Sequence, residues 1–518
     1  MLTTLLRDSR ALGVLAVPLI LTQLAQAALT TTDTVMMGLL GTTELAAGGL
    51  AIVIFNQIRT MCVGLCTAVG NQIAAAAARA EHSQDDSAEK DGHGEVHDIV
   101  RAGLAVATFA GIVGAVLMVL IGHTLSWLGQ DASIVGLTKN MLYALAPGLL
   151  PCLWFQAIRQ FTVGMRRPQA LLRITLVSIA VNAGLNWVLI HGTLGVPQLG
   201  LTGVGLATSG VYLLSFIALY LSAKQDKELA PHLSLDITRA NATTVRRLLG
   251  LGIPIAATYG SEAGFFSATA LMAGTFGPDA LAAHTAVNQL VYIVFQVAIG
   301  LSHAASINVS RELALGNHDG ARRIRNTALA CSAAVMTVVG TAYLTLPGLV
   351  LAPFLETGSE QALCIAMHLL IVTAFLQFFD CAQNIGVGLL RGLDDTRSGF
   401  RITLIGYWAI GLPVSWTLAH LLGLGTLGIW LGLLTGLAAT ALLLLRRYAS
   451  SLAASQSRAR GKATPRLNRP MRRGRPTGSN SLPAHRPADA PRTPRTREAR
   501  TPARELQPPQ RPPSPPAP

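Results

Sequence analysis

Charged residues are scarce in this chain of 518 residues. Asp, Glu, Lys and Arg make up 13% of it, whereas hydrophobic residues make up 51%. Because a soluble domain carries about a quarter charged residues, the composition excludes an ordinary soluble protein. Long apolar runs recur as far as residue 446, and each is long enough for the roughly 20 residues that cross a bilayer as a helix. The runs are continuous rather than alternating, which favours helices over a β-barrel.

Motifs for catalysis and metal binding are also missing. The sequence contains neither a GxxxxGKS or GxxxxGKT phosphate-binding pattern nor an HExxH zinc pattern. Its six cysteines lie in or near apolar segments, which argues against a disulfide framework and against zinc. We therefore predict neither an ATP-driven pump nor an enzyme, and no cofactor.

The apolar runs form twelve segments, which we predict to be the transmembrane helices of an all-α membrane protein. Lys and Arg are concentrated in connections after even-numbered segments, whereas the connections 192–199, 276–280 and 422–424 contain none. Because basic residues stay on the cytoplasmic side, this pattern places both termini in the cytoplasm. The segments are about 11–40, 45–78, 99–121, 134–164, 168–191, 200–222, 247–275, 281–310, 324–350, 360–390, 399–421 and 425–446.

Two polar stretches lie outside the predicted helices. Residues 81–98 are acidic and contain three histidines, and we predict a solvated cytoplasmic loop here rather than a metal site. Residues 447–518 form an Arg- and Pro-rich tail, which is predicted to be disordered because it lacks an apolar pattern. From 451 onward the tail holds 15 basic and 3 acidic residues, a net charge of +12 out of +14. The helical part is therefore nearly neutral, and no nucleic-acid binding is expected of it.

The helical part contains an internal duplication. An offset of 236 residues superimposes ordered Pro, Thr and Gly positions of the first half on those of the second. We predict two six-helix lobes, residues 1–222 and 247–446, joined by a cytoplasmic linker at 223–246. Since six is even, the lobes are parallel repeats about an axis near the membrane normal. The superimposed pairs are Pro18 with Pro254, Thr22 with Thr258, Gly64 with Gly300 and, after a short insertion, Val163 and Gly164 with Val387 and Gly388.

Three carboxylates lie within predicted membrane helices: Asp33, Glu262 and Asp380. An ionisable side chain in this position costs at least roughly 2.5–3.5 kcal/mol on insertion scales, so we predict that all three are functional. Glu262 and Asp380 are expected at similar depth, facing one cavity, where carboxylates take up a proton or ligate a dehydrated cation. A negative cavity favours cationic lipophilic substrates.

Four further polar residues lie in the predicted helices. Asn182 and Asn186 are four residues apart and share one face of helix 5. Their spacing is equally compatible with binding a cation, with positioning a carboxylate and with joining helices. Arg59 falls well inside helix 2, where it either neutralises Asp33 or lines a polar cavity. Arg159, near the cytoplasmic end of helix 4, is expected to extend its charge to the surface.

Over about residues 10–446 the sequence resembles the MATE (multidrug and toxic compound extrusion) family, especially its bacterial NorM-like branch. The specific matches are VNAGLNWVLIHGTLGVPQLGLTGVGLAT at 181–208 and DCAQNIGVGLLRGLDDTR at 380–397. Shorter matches are DTVMMG at 33–38, LAA at 45–47 and LAAH at 281–284, together with Pro18, Pro254 and Glu262. Arg59 and the basic tail have no counterpart in this pattern.

The resemblance implies two lobes that export drugs in exchange for Na+ or H+. It implies that Asp33 is the first-helix acid of the N-terminal lobe, with Asn182, Asn186 and Thr208 in its polar site. It makes Glu262 and Asp380 the cation-binding pair of the C-terminal lobe, with Na+ slightly favoured. The expected protein is a monomeric antiporter for cationic lipophilic drugs in a bacterial inner membrane, and it operates by alternating access.

Three alternatives remain open at this point. A flippase for lipids or lipid-linked oligosaccharides, of related architecture, would line its cavity with many basic residues, whereas the sequence offers chiefly Arg59. A membrane-embedded enzyme would require a compact acid–base or metal constellation. A passive channel would not move a drug against its gradient.

Overall fold

The computed structural model describes residues 2–82, 86–125, 132–195, 197–354 and 360–463. Nearly all of these residues are helical, and long helices account for the fold. They are α1 (Leu2–Gly38), α2 (Thr42–His82), α3 (Asp86–Thr124), α4 (Ala132–Gly164), α5 (Gln169–His191), α6 (Gly200–Gln225), α7 (Ala242–Gly274), α8 (Pro278–Ala314), α9 (His318–Thr345), α10 (Glu360–Gly392), α11 (Thr396–Leu421) and α12 (Gly425–Ala463).

The predicted all-α membrane fold is confirmed. Within the described ranges, eleven of the long helices are long and apolar enough to cross a membrane. The remaining one, α7, is 33 residues long but less apolar, because its middle carries Glu262 among small and polar residues. The helix α11 is partly π-helical, over Ile405–Gly411 and Thr417–Leu421, and π-helical turns are frequent at functional sites.

Two predicted boundaries need correction. Much of the segment 81–98, predicted as a loop, is helical, because α3 begins at Asp86. The tail predicted from 447 begins later, because α12 continues to Ala463. Tyr448 is buried on this extension and donates a hydrogen bond to the Ala321 carbonyl at 3.0 Å. The predicted disorder of 464–518 lies outside the described residues.

Each six-helix half has its own inner packing, and together the halves form one compact unit that ends at Ala463. In the first half α4 packs against α2, α3 and α6, and in the second α10 packs against α8 and α12. The linker between α6 and α7 contains two short 3-10 turns, Ala230–His232 and Ile237–Arg239, which pack on α3. The lobes are therefore halves of one body rather than independent domains.

The contacts between the halves include two crossings, α1 with α8 and α2 with α7. A Cβ atom on Gly64 would lie 2.7 Å from the Ala256 Cα atom, and one on Gly300 would lie 2.8 Å from the Ile20 Cα atom. The two crossings are related by the internal duplication. Adding 236 to positions 20 and 64 of the α1–α8 and α2–α7 crossings gives positions 256 and 300, which are the partners of 64 and 20, respectively. Glycine at both crossings permits this close approach of backbones.

The helices that form these crossings share a proline–threonine pair. In α1 the Thr22 hydroxyl donates to the Pro18 carbonyl at 2.7 Å, and in α7 Thr258 donates to the Pro254 carbonyl at 2.9 Å. Proline cannot donate the backbone hydrogen bond expected at its position, and a hydroxyl bonded to the carbonyl four residues earlier promotes bending. Each half thus has the same proline–threonine pair, which promotes bending, in a helix that contacts the other half.

Candidate functional site

Asp33 lies at a junction of α1, α5 and α6, and it is 4% exposed. Its Oδ1 atom accepts hydrogen bonds from the amide nitrogens of Asn182 and Asn186, at 2.6 and 2.8 Å. Its Oδ2 atom accepts a hydrogen bond from the Thr208 hydroxyl at 3.0 Å. The structure therefore brings together the four residues predicted for this site, and the two asparagines position a carboxylate.

Arg59 does not neutralise this carboxylate. Its Nε atom donates to the Asn56 side chain at 3.3 Å, and among the described residues it forms no ion pair with Asp33. Instead Arg59 lines the large cavity between the halves. Of the two roles considered for Arg59, the structure supports the cavity role.

The second buried carboxylate, Glu262 in α7, is held by residues from α10 and α11. Its Oε1 atom accepts a hydrogen bond from the Gln383 amide at 3.0 Å. The Tyr407 hydroxyl lies 3.4 Å from the same oxygen and 2.8 Å from Gln383 Oε1. Because a hydroxyl has one proton, the shorter contact with Gln383 is the favoured bond. Glu262, Gln383 and Tyr407 form one connected network.

Asp380 lies behind this network and is 1% exposed. Its Oδ1 atom accepts a hydrogen bond from Asn384 at 3.2 Å, whereas its Oδ2 atom has no partner in the described part of the chain. A buried carboxylate oxygen without a donor is costly, so this atom favours a proton or a cation. Asp380 is close enough to Glu262 for the two charges to interact.

Gln383, Asn384 and Tyr407 were missed by sequence reasoning. The first two lie three and four residues after Asp380 and so share its helical face, a signal that was present in the sequence. Tyr407 gave no such signal. It lies in the π-helical part of α11 and stacks on Phe265 with ring centroids 4.9 Å apart.

A cavity of about 490 Å³ separates the two halves. Glu262 lines it, as predicted, but Asp380 does not, because Asp380 is enclosed by its own half. Arg159 also lines the cavity and is 3% exposed, so the prediction that it extends to the surface is wrong. The other lining residues are mainly amides and aromatics, which include Gln23, Gln26, Asn56, Gln57, Gln156, Gln160, Asn288, Gln296, Tyr259, Phe266, Tyr292 and Phe295.

The cavity is closed at the end of the bundle that carries the α6–α7 linker. There the Asn71 amide donates to the Ser306 hydroxyl at 2.9 Å, and Gln72 donates to Asp394 at 2.7 Å. The Glu81 carboxylate also pairs with the Arg311 guanidinium. Each of these contacts joins the first half to the second.

A polar cavity between two pseudo-symmetric helical halves, with buried carboxylates beside it, is the arrangement of a secondary membrane transporter. In the described residues, no cluster of three or more His, Cys, Asp or Glu side chains is placed to hold a metal ion. The fold and the cavity thus define the class of secondary membrane transporters.

The family model described as MatE matches residues 18–188 and 254–417. Its two matches begin at Pro18 and Pro254, which are paired by the 236-residue offset. Proteins named "Probable multidrug resistance protein NorM" from Pseudomonas aeruginosa and Bradyrhizobium diazoefficiens are 33% and 35% identical to this chain. The alignments cover 88% and 84% of this chain, and 95% and 91% of those proteins.

A solved structure titled "Outward-facing conformation of a multidrug resistance MATE family transporter of the MOP superfamily" has the same fold. Its TM-score is 0.77 at 15% identity, over 87% of this chain and 97% of that one. The chain belongs to the MATE family. The resemblance drawn from the sequence is thereby confirmed, and the protein is a transporter rather than an enzyme.

Proposed function

We propose that this protein exports cationic lipophilic drugs by antiport with Na+ or H+, alternating access between the two sides of a bacterial inner membrane. Family membership and the multidrug resistance names of its relatives support export of drugs. The proposal includes cytoplasmic termini and a monomer. The linker end of the bundle is then the cytoplasmic end, so the closed contacts there correspond to a cavity that is shut toward the cytoplasm.

The observation that carries the proposal is the double role of Glu262. It lines the cavity and also belongs to the hydrogen-bond network with Gln383 and Tyr407. A cation that binds Glu262 therefore competes with a cationic substrate for the same charge. It also changes the bonds that Glu262 makes to α10 and α11, and so alters the packing of the second half.

The two carboxylate sites differ in how well they are satisfied. Asp33 accepts three hydrogen bonds, which stabilise its charge without an ion. Asp380 has one bond from Asn384 and a free Oδ2 atom. This difference supports Asp380 and Glu262 as the place where the coupling cation binds. It also supports a positioning role for Asp33 in the first half.

The flippase alternative receives little support from the cavity. It would require many basic residues, whereas the lining contains two arginines, Arg59 and Arg159, with Glu262 and at least eight side-chain amides. A surface of this kind suits a moderately polar drug better than a polyanionic lipid headgroup.

The test uses the purified protein in proteoliposomes loaded with ethidium, under imposed Na+ or pH gradients. Wild type is compared with Glu262→Gln, Asp380→Asn and Asp33→Asn. Asp319→Asn is the matched control, because the Asp319 side chain is 77% exposed at the start of α9. Protein amount in the liposomes is equalised before transport is measured.

We expect gradient-driven ethidium movement in wild type and Asp319→Asn, and its loss in Glu262→Gln and Asp380→Asn. The gradient that drives movement identifies the coupling ion. Loss of ethidium movement in Asp33→Asn alone would indicate that the coupling ion acts in the first half. Failure of wild type to move ethidium and several other cationic dyes would refute drug export.

A further inference from the structure

The first half carries a basic residue at a position that corresponds to part of the acidic network of the second half. The 224-residue offset that pairs Val163 with Val387 also places Phe155 on Phe379. At this offset Gln156 corresponds to Asp380, and Arg159 corresponds to Gln383. The position that supports a carboxylate in the second half therefore carries a guanidinium group in the first.

Arg159 is held by neutral groups only. Its two terminal nitrogens donate to Gln156 at 3.3 Å and to Gln23 at 3.0 Å. Both partners are amides that also line the cavity. Among the described residues no carboxylate lies within 4 Å of the Arg159 nitrogens, so its charge is buried without a counterion.

A second buried guanidinium lies behind the cavity lining rather than in it. Arg391 in α10 is 4% exposed and donates to the Tyr259 hydroxyl at 3.3 Å, with its charge 5.9 Å from the centre of the Tyr259 ring. Its Nε and one terminal nitrogen have no partner in the described part of the chain. Tyr259 and His303 line the cavity, and His303 lies within electrostatic range of both Arg391 and Arg159.

Two buried cations without counterions, one of them with two donor nitrogens that lack a partner among the described residues, are costly unless an anionic group satisfies them. We propose that Arg159 and Arg391, with Tyr259 and His303, form a subsite that binds a carboxylate group of the transported substrate. Arginine suits this role because its planar donors match the two oxygens of a carboxylate. Glu262 lines the same cavity, so a substrate that carries both a positive charge and a carboxylate finds a partner for each.

This inference rests on the proposed function for its biological meaning, but binding alone is sufficient to test it. Rhodamine 110 and rhodamine 123 share a cationic ring system and differ in one group, a free carboxylate in the first and its methyl ester in the second. The affinity of the full-length, detergent-purified protein for each dye is measured by fluorescence polarisation. The variants are Arg159→Gln, Arg391→Gln and the control Arg323→Gln, whose side chain is exposed on α9.

We expect wild type and Arg323→Gln to bind rhodamine 110 roughly tenfold or more tightly than rhodamine 123, the size expected for a charge-assisted contact. Arg159→Gln and Arg391→Gln should lose this preference and keep their affinity for the ester. Arg159→Gln is the safer variant for folding, because glutamine already occupies the corresponding position 383.

Equal affinities in wild type, or an unchanged preference in Arg159→Gln, would overturn the subsite, as would failure to bind rhodamine 110 at all. Ion-driven export of rhodamine 123 by proteoliposomes is measured in parallel. Export of rhodamine 123 without any preference for the carboxylate dye would support drug export and refute the subsite. A preference for the carboxylate dye without export of rhodamine 123 would support the subsite and count against drug export.

Discussion

The glycine crossings allow a quantitative prediction about closure of the cavity. In the structure a Cβ atom on Gly64 would lie 2.7 Å from the Ala256 Cα atom, whereas ordinary contact begins at 3.4 Å. In Gly64→Ala, α2 and α7 must therefore separate by about 0.7 Å at this point. The clash is with backbone, so no side chain can move aside to relieve it. The same holds for Gly300→Ala, where the Ile20 backbone is 2.8 Å away.

Overpacking of a close contact costs about 1–3 kcal/mol. Since 1.4 kcal/mol corresponds to a factor of ten, either substitution should disfavour the state closed at the linker end by roughly 5-fold to 150-fold. The two substitutions should have similar effects, because the 236-residue offset relates their crossings. A variant whose cavity closes poorly at this end should also transport its substrate more slowly.

Closure is measured by chemical cross-linking between Glu81→Cys and Arg311→Cys, which replace a contact between the halves. The background lacks Cys62, Cys331 and Cys364, the three cysteines that are not fully buried. The control is Gly49→Ala, also on α2, because a Cβ atom there has no neighbour within 4 Å. The reasoning would be refuted if Gly64→Ala and Gly300→Ala gave the same cross-linking yield as wild type. It would also be refuted if Gly49→Ala lowered the yield as much as they do.

Three further predictions concern other parts of the molecule. Glu81→Arg should weaken closure and slow dye efflux by about twofold to fivefold, the range expected of a partly exposed ion pair; adding Arg311→Glu should restore most of the rate, and no restoration would contradict the pairing. Asn186→Leu removes one of three donors to Asp33 and should cost about 1–3 kcal/mol, seen as a lower Tm of the purified protein; an unchanged Tm would mean that the bond contributes little. Removal of residues 464–518 should leave efflux unchanged, because the helices form a compact unit without them; lost efflux at equal protein amount would assign the tail a role.

Much of the fold could be predicted because its signals are local. Each span is a run of apolar residues, and the carboxylates Asp33 and Glu262 stand out because an ionisable group in such a run is rare. Hydropathy, however, marks the membrane edge rather than the end of a helix. The helix α12 was therefore predicted to end at 446, although its Ala- and Arg-rich continuation favours helix as far as Ala463.

The orientation of side chains around a buried helix was harder to predict. The helix α4 is surrounded by other helices, so its apolar pattern does not show which face meets the cavity. Arg159 was judged by its distance from the helix end, and this distance says nothing about rotation around the axis. Asp380 shows the same difficulty, because it was predicted to face the cavity but faces its own half instead.

The duplicated halves share their glycine crossings but differ in the charge that each presents to the cavity. Both glycine crossings persist, whereas Glu262 corresponds to the neutral Gln26 at the 236-residue offset. Two acids facing each other across one cavity would repel, and each would attract a cation. Neutral Gln26 in the first half confines the cavity-facing acid to the second half. If the proposed coupling ion binds in the second half, its effect reaches the first half through the contacts between the halves, which favours movement of the halves as bodies over independent changes in each.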